Sequence, residues 1–160
     1  MKKTVFSFLL CLAVIIIART LGQAPEKSNV TIYLPDRNIQ HLIPVPVAVS
    51  ATDSDKVAKE ILDLLSASGG EDSSFIRYLK AGDAKVNING EIATVTVPPR
   101  LANAIPKDRD GEKLFIYHIV NSLCSAPDIK YVRFLPSDKA TKELFIFADE
   151  RELFSANYGI

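Results

Sequence analysis

Two histidines, two cysteines and the carboxylates of Asp108, Asp110 and Glu112 are the side chains of this sequence with the widest choice of chemistry. His41 stands at the start of an extended stretch punctuated by Pro44 and Pro46, and His118 falls within a helical pattern beside its apolar stripe. Neither has a second imidazole three or four residues away, the spacing that lets one helix face grip a metal ion. Both are therefore read as surface or boundary histidines. The acidic cluster could offer several oxygens to a hard cation such as calcium, but its spacing is not that of an EF-hand loop. Acidic residues at a helix start are accounted for by the helix dipole, and that reading is preferred. No G-x-S-x-G elbow raises a serine nucleophile. No glycine-rich loop cradles a phosphate, because Gly69-Gly70 stands alone after a helical pattern and reads as its terminator. Carboxylate pairs for glycoside cleavage depend on separation in space, and no pair is singled out. Cys124, inside a helical pattern, reads as a small hydrophobe. With Cys11 in an apolar leader, neither a disulfide framework nor a cysteine zinc site is expected. No catalytic, cofactor-binding or metal-ligating residue is nominated, and no cofactor is expected.

The elements that would position these groups follow from hydrophobic period. Residues 30–34 (VTIYL) alternate and are β-branched or aromatic, a first strand closed by Pro35-Asp36. Residues 41–49 (HLIPVPVAV) are apolar, but each proline removes a ladder donor, so they read as an extended edge. Thr52 with Asp55 resembles a capping box. Val57, Ile61, Leu64 and Leu65 then share one face of a helix running to about Ala67. Residues 75–79 form a short apolar turn of undefined type. Asn89-Gly90 between two alternating runs, 85–88 and 91–97, signals a hairpin whose turn needs positive φ, and Pro98-Pro99 ends it. After an irregular stretch through Pro106, a second helix begins near Gly111 with Ile119, Val120 and Leu123 in its buried stripe and Pro127 as its stop. Residues 130–135 form a further strand with 143–147 as its hairpin partner. The fold class is α+β: two helices packed on one face of a mixed or antiparallel sheet.

The chain has 160 residues, enough for one domain and an export segment. Lys2 and Lys3 precede an apolar run over 5–18, followed by Arg19, the layout of a bacterial export signal. That run is shorter than the roughly 20 residues that span a bilayer. Extending it through Leu21 with Arg19 snorkelling makes an uncleaved anchor the alternative to a cleaved signal. Residues 1–22 are thus a signal peptide or anchor and 23–29 a polar linker; the continuing run after Cys11 argues against lipidation. Lys+Arg and Asp+Glu are 19 each. Without residues 1–22, which hold Lys2, Lys3 and Arg19, 16 basic residues face 19 acidic ones. A nucleic-acid partner is not expected of such a chain, since phosphate neutralisation needs a basic surface. The location expected is extracytoplasmic, secreted or periplasmic, or held at the cytoplasmic membrane by residues 1–22.

The last twenty residues are aromatic for a chain end: Phe145, Phe147, Phe154 and Tyr158 either close the core or form a partner-binding surface. Three blocks then carry a family resemblance: VTIYLPD (30–36) with LIPVPVAV (42–49), VNINGEIATVTVP (86–98), and GEKLFIYHIVNSLCSAPDIKYVRFLPSDK (111–139). In this order and spacing they resemble the GerMN domain family of spore germination and sporulation proteins, whose helix, proline stop and strand the third block matches. The resemblance covers residues 30–140, leaving 141–160 as a C-terminal strand and aromatic tail. It implies a ring-building-motif-like, non-enzymatic envelope module that contacts other envelope proteins or further copies of itself. A peptidoglycan-binding protein is the alternative, and a small hydrolase working through a carboxylate pair is the least favoured reading.

Overall fold

The structure, a computed structural model, describes residues 28–36, 38, 40–68, 84–138, 144–149 and 151–160. The export segment and its cleavage, most of the linker, the Gly69-Gly70 stop, the 75–79 turn and position 143 lie outside the described residues.

The chain enters as an antiparallel hairpin of β1 (Ser28–Pro35) and β2 (Leu42–Val49). Val30, Ile32 and Val49 are buried on one face of the ribbon, as alternation predicts; Leu42, on the other face by register, is buried at the end of its strand. Thr31 lies opposite Pro46, and Tyr33 opposite Pro44. The N–H groups of Thr31 and Tyr33 bond to Ser125 and Ser122, so they point away from β2. Directly opposed residues in an antiparallel pair turn their backbone groups the same way relative to the ladder. The ring nitrogens of Pro44 and Pro46 therefore lie on the outer edge of β2, where no ladder bond is lost.

Helix α1 (Ser54–Ala67) starts one residue later than a Thr52 cap implies: Asp53 is the N-cap, accepting from the Lys56 N–H at 3.2 Å. Asp55 instead accepts the Ile88 N–H at 2.8 Å, closing part of the outer edge of β3. The apolar face of α1, Val57, Ala58, Ile61, Leu62 and Leu65, is buried. Strands β3 (Lys85–Asn89) and β4 (Ile92–Val97) form the expected hairpin. Asn89 is the last paired residue, and the loop is Gly90-Glu91, with Gly90 at φ +60°. Both tight hairpin turns need positive φ at that first loop position, the conformation glycine adopts without steric penalty.

Pro98-Pro99 ends β4 but also starts a helix. Pro99 is the first residue of α2 (Pro99–Ala104), where a missing N–H costs nothing. Helix α3 (Arg109–Leu123) follows, capped by Asp108, which accepts from Gly111 N–H at 2.8 Å. A Cβ on Gly111 would sit 2.6 Å from Pro106 Cβ and 2.9 Å from the Asp108 carboxylate, so the tight α2–α3 corner requires glycine there.

Strand β5 (Tyr131–Pro136) runs parallel to β4, and β6 (Phe154–Ser155) pairs antiparallel with its start, giving a sheet in the order β3-β4-β5-β6. The fold is α+β, with β1-β2 as a separate two-stranded sheet. The hairpin partner of β5 is 154–155, not 143–147. Leu144 and Phe145 are both buried and Ile146 and Phe147 both exposed, which no alternating strand allows. Their run of apolar residues turns around a carboxylate instead. Phe134 on β5 forms edge-to-face contacts with Phe145 at 5.3 Å and Phe154 at 5.7 Å, closing the core.

Candidate functional site

Helix α3 carries polar residues on a face that is almost wholly buried. His118, Asn121, Ser122 and Ser125 follow the i, i+3, i+4, i+7 spacing of one helix side, continued past the helix end by Ser125. Ser122 Oγ donates to the His118 carbonyl at 2.6 Å and accepts from Tyr33 N–H at 2.9 Å. Ser125 Oγ donates to the Ser122 carbonyl at 2.8 Å and accepts from Thr31 N–H at 3.0 Å. His118 Nδ1 lies 2.6 Å from the Tyr33 carbonyl oxygen; a carbonyl only accepts, so Nδ1 carries the proton. These side chains serve as the missing strand beside β1. In the sequence the stripe shows as polar residues at helical spacing inside an apolar helix, a signal that hydrophobic period passes over.

His118 is accordingly neither at the surface nor at a boundary. It is 1% exposed, and burial pulls its imidazole down to about 4, against the opposing effect of the Tyr33 carbonyl. It is neutral near pH 7 and fastens one strand. His41 is exposed, at the β1–β2 turn, where its carbonyl accepts the Asp36 N–H at 2.8 Å.

The same helix fastens the C-terminal segment. Glu112 is 1% exposed, and its carboxylate accepts the N–H groups of Ile146, Phe147 and Ala148 at 2.6, 2.8 and 2.9 Å. Asp108 caps the helix, Asp110 stays in solvent and Glu112 turns inward, so the acidic cluster divides into three separate tasks. The dipole accounts for an acid at this helix end but not for its burial; the loop that needs it is 34 residues away in sequence. Further along α3, Asn121 donates to the Asn157 carbonyl and accepts from its N–H, both at 2.8 Å, as a strand residue would. Among the described residues no three His, Cys, Asp or Glu side chains come together as metal ligands. Burial raises the Cys124 thiol to about 11, leaving almost no thiolate at neutral pH.

The four aromatic residues of the tail separate. Phe145 and Phe154 are buried against Phe134 and serve the core. Phe147 is 50% exposed with the Arg109 guanidinium 5.8 Å from its ring centre. Tyr158 is 59% exposed and stacks on Tyr33 at 5.3 Å; burial raises both tyrosine hydroxyls above their ordinary range.

The sheet contributes a surface that sequence reasoning did not single out. Ala93, Val95, Val97, Val132 and Phe134 face the core, so the alternate residues of β4 and β5 form the opposite face. There Tyr131 and Leu135 are exposed large side chains and Arg133 reaches Thr94 Oγ1 at 3.4 Å. Parallel register sets Ile92 beside Tyr131, Thr94 beside Arg133 and Thr96 beside Leu135. Among the described residues no helix is long and apolar enough to cross a membrane.

The sequence profile of the Germane family, described as sporulation and spore germination, matches residues 31–141. No curated protein matches the chain by sequence. Among solved structures, the tandem GerMN domains of the sporulation protein GerM from Bacillus subtilis superpose with a TM-score of 0.52 at 15% identity. That match covers 82% of this chain and 45% of the tandem structure, so the chain spans a little under half of it. A candidate lipoprotein from Clostridium perfringens superposes with a TM-score of 0.50 at 15% identity, over 81% of this chain and 87% of the other. At such identities the two structures speak for the fold, and it is the profile, running from β1 through β5 and past its end, that shows this chain to belong to the Germane (GerMN) family.

Proposed function

We propose that this protein is a non-enzymatic contact module of the bacterial cell envelope, carried or anchored outside the cytoplasm by residues 1–22, and that it meets its partner through the open face of the β3-β4-β5-β6 sheet. The observation that carries this reading is the contrast between edges and face. The outer edge of β1 is filled by Ser122, Ser125 and His118. The outer edge of β2 holds two prolines, and Leu42 N–H is bonded to the Ile160 carbonyl at 3.2 Å. Asp55 occupies the Ile88 N–H on β3. Such closures suppress strand-to-strand addition. The open sheet face instead presents Tyr131 and Arg133, residue types enriched at protein interfaces, beside the exposed apolar Leu135. The family description supports a role in sporulation or germination; the partner we propose is an envelope protein or a second copy.

Cross-linking in cells, followed by identification of captured proteins, tests this with Tyr131→Ser and Leu135→Asp. Both side chains are exposed, so each variant should stay within about 0.5 kcal/mol of the parent stability while losing its adducts. Adducts unchanged in folded variants would overturn the sheet face as the contact surface.

A further inference from the structure

Beside the buried Glu112, and away from the open sheet face, lies a cleft of about 270 Å³ between α3 and the C-terminal residues Phe147, Ala148, Glu152 and Phe154. One wall is α3, with Arg109 and Lys113 one turn apart at the rim, Glu112 between them with its carboxylate already taken up by three backbone N–H groups, and Ile116 and Tyr117 deeper in; the other is Phe147, Ala148, Glu152 and Phe154. Among the described residues neither Arg109 nor Lys113 has an ion-pair partner. The Phe147 side of the cleft is tied down, because the N–H groups of Ile146, Phe147 and Ala148 all end on the Glu112 carboxylate. The Phe147 ring is thereby held half-exposed beside the Arg109 guanidinium rather than packed in the core.

We propose that this cleft binds the free carboxy-terminal residues of a protein partner. Arg109 and Lys113 take the terminal carboxylate as paired, charge-assisted donors. Their position on the first turns of α3 adds the positive end of the helix dipole. Glu152 on the facing rim repels a carboxylate, which fixes the orientation of the chain end with its charge against α3. The terminal side chain then lies among Phe147, Tyr117 and Ile116, a wall of rings and branched carbon that favours a large apolar residue over alanine. The volume is just under the roughly 300–1,000 Å³ of small-molecule sites, suiting a terminal residue or two rather than a long segment. A partner bound here would be selected by its chain end, independently of any contact at the sheet face.

The test is calorimetric titration of the full-length chain, kept dispersed in neutral detergent, with the peptide acetyl-Ala-Ala-Leu as free acid and as carboxamide. The free acid should bind at least about tenfold more tightly than the amide and weaken as salt is raised. Arg109→Ala and Lys113→Ala, both at exposed positions, should each weaken the acid about tenfold and leave the amide unaffected. Equal binding of acid and amide, or no heat from either, overturns the proposal. Tighter binding of a peptide ending in D-Ala-D-Ala would also overturn it, assigning the cleft to cell-wall stem peptides. These outcomes are read separately from loss of cross-linking at Tyr131 and Leu135, so either reading can fail alone.

Discussion

A carboxylate with almost no solvent exposure is stable only where hydrogen bonds replace its water, and Glu112 receives three from consecutive backbone N–H groups. Glu112→Gln keeps the length but turns an NH2 donor toward N–H donors, so unfolding stability should fall by about 2–4 kcal/mol in a denaturant titration. A change under about 0.5 kcal/mol would mean that the loop 146–148 finds other acceptors. His118 makes its contribution through pH. Its imidazole is held near 4 against an ordinary 6.5, so the unfolded chain takes up a proton more readily than the folded one between those values. The neutral ring's contribution is complete above pH 6.5 and is lost as pH falls toward 4, amounting to about 3 kcal/mol at 1.36 kcal/mol per pH unit. Stability of His118→Gln measured from pH 7 to 4 should therefore decline less steeply than that of the parent. Parallel declines would show that other groups carry the whole slope.

At the level of elements, proline placement on β2 controls association rather than pairing with β1. Because Pro44 and Pro46 face outward, replacing both with threonine restores two N–H donors on an exposed edge without touching the β1 ladder. The double variant should lose about 0.5–1 kcal/mol per site through the greater freedom of its unfolded chain. It should also associate with rising concentration by light scattering, whereas the parent does so less; equal scattering would mean that side chains already guard this edge. The hydrophobic period made β1, α1, the β3-β4 hairpin, α3 and β5 legible, because each is long enough to repeat its pattern. Helix α2 was hidden because Pro98-Pro99 signals the end of a strand and the start of a helix with the same residues. Strand β6 has two residues and no pattern to repeat. The stretch 144–147 reads like a strand from apolar content, yet its path is set by Glu112, which belongs to a distant helix. The polar stripe of α3 has the right spacing to be noticed, but only the neighbouring β1 backbone explains why it is buried.

Across the whole molecule, the last dozen residues act as a strap that returns to the start of the domain. Phe154 enters the core, Asn157 pairs with Asn121, Tyr158 stacks on Tyr33 and Ile160 bonds to Leu42. The strap joins the four-stranded sheet to α3 and to the β1-β2 hairpin, which forms a separate sheet. The cooperative unit thus extends beyond the profile match at residue 141, and a chain shortened after residue 149 should lose more than the strap itself. Removing Phe154 alone leaves a void beside Phe134 and Phe145, so Phe154→Ala should cost about 3–5 kcal/mol. The truncated chain, which also loses the Asn121 and Tyr33 contacts, should unfold without a single sharp thermal transition while retaining much of its helical circular dichroism. A sharp transition near that of the parent would show that residues 28–149 fold as a unit and that the strap is an attachment to it. Asn121→Ala separates the possibilities further: it leaves the core rings in place and removes only the paired amide contact. If the strap is part of the cooperative unit, that variant lowers the midpoint of the one global transition. If it is not, the tail becomes protease-sensitive while the midpoint stays unchanged.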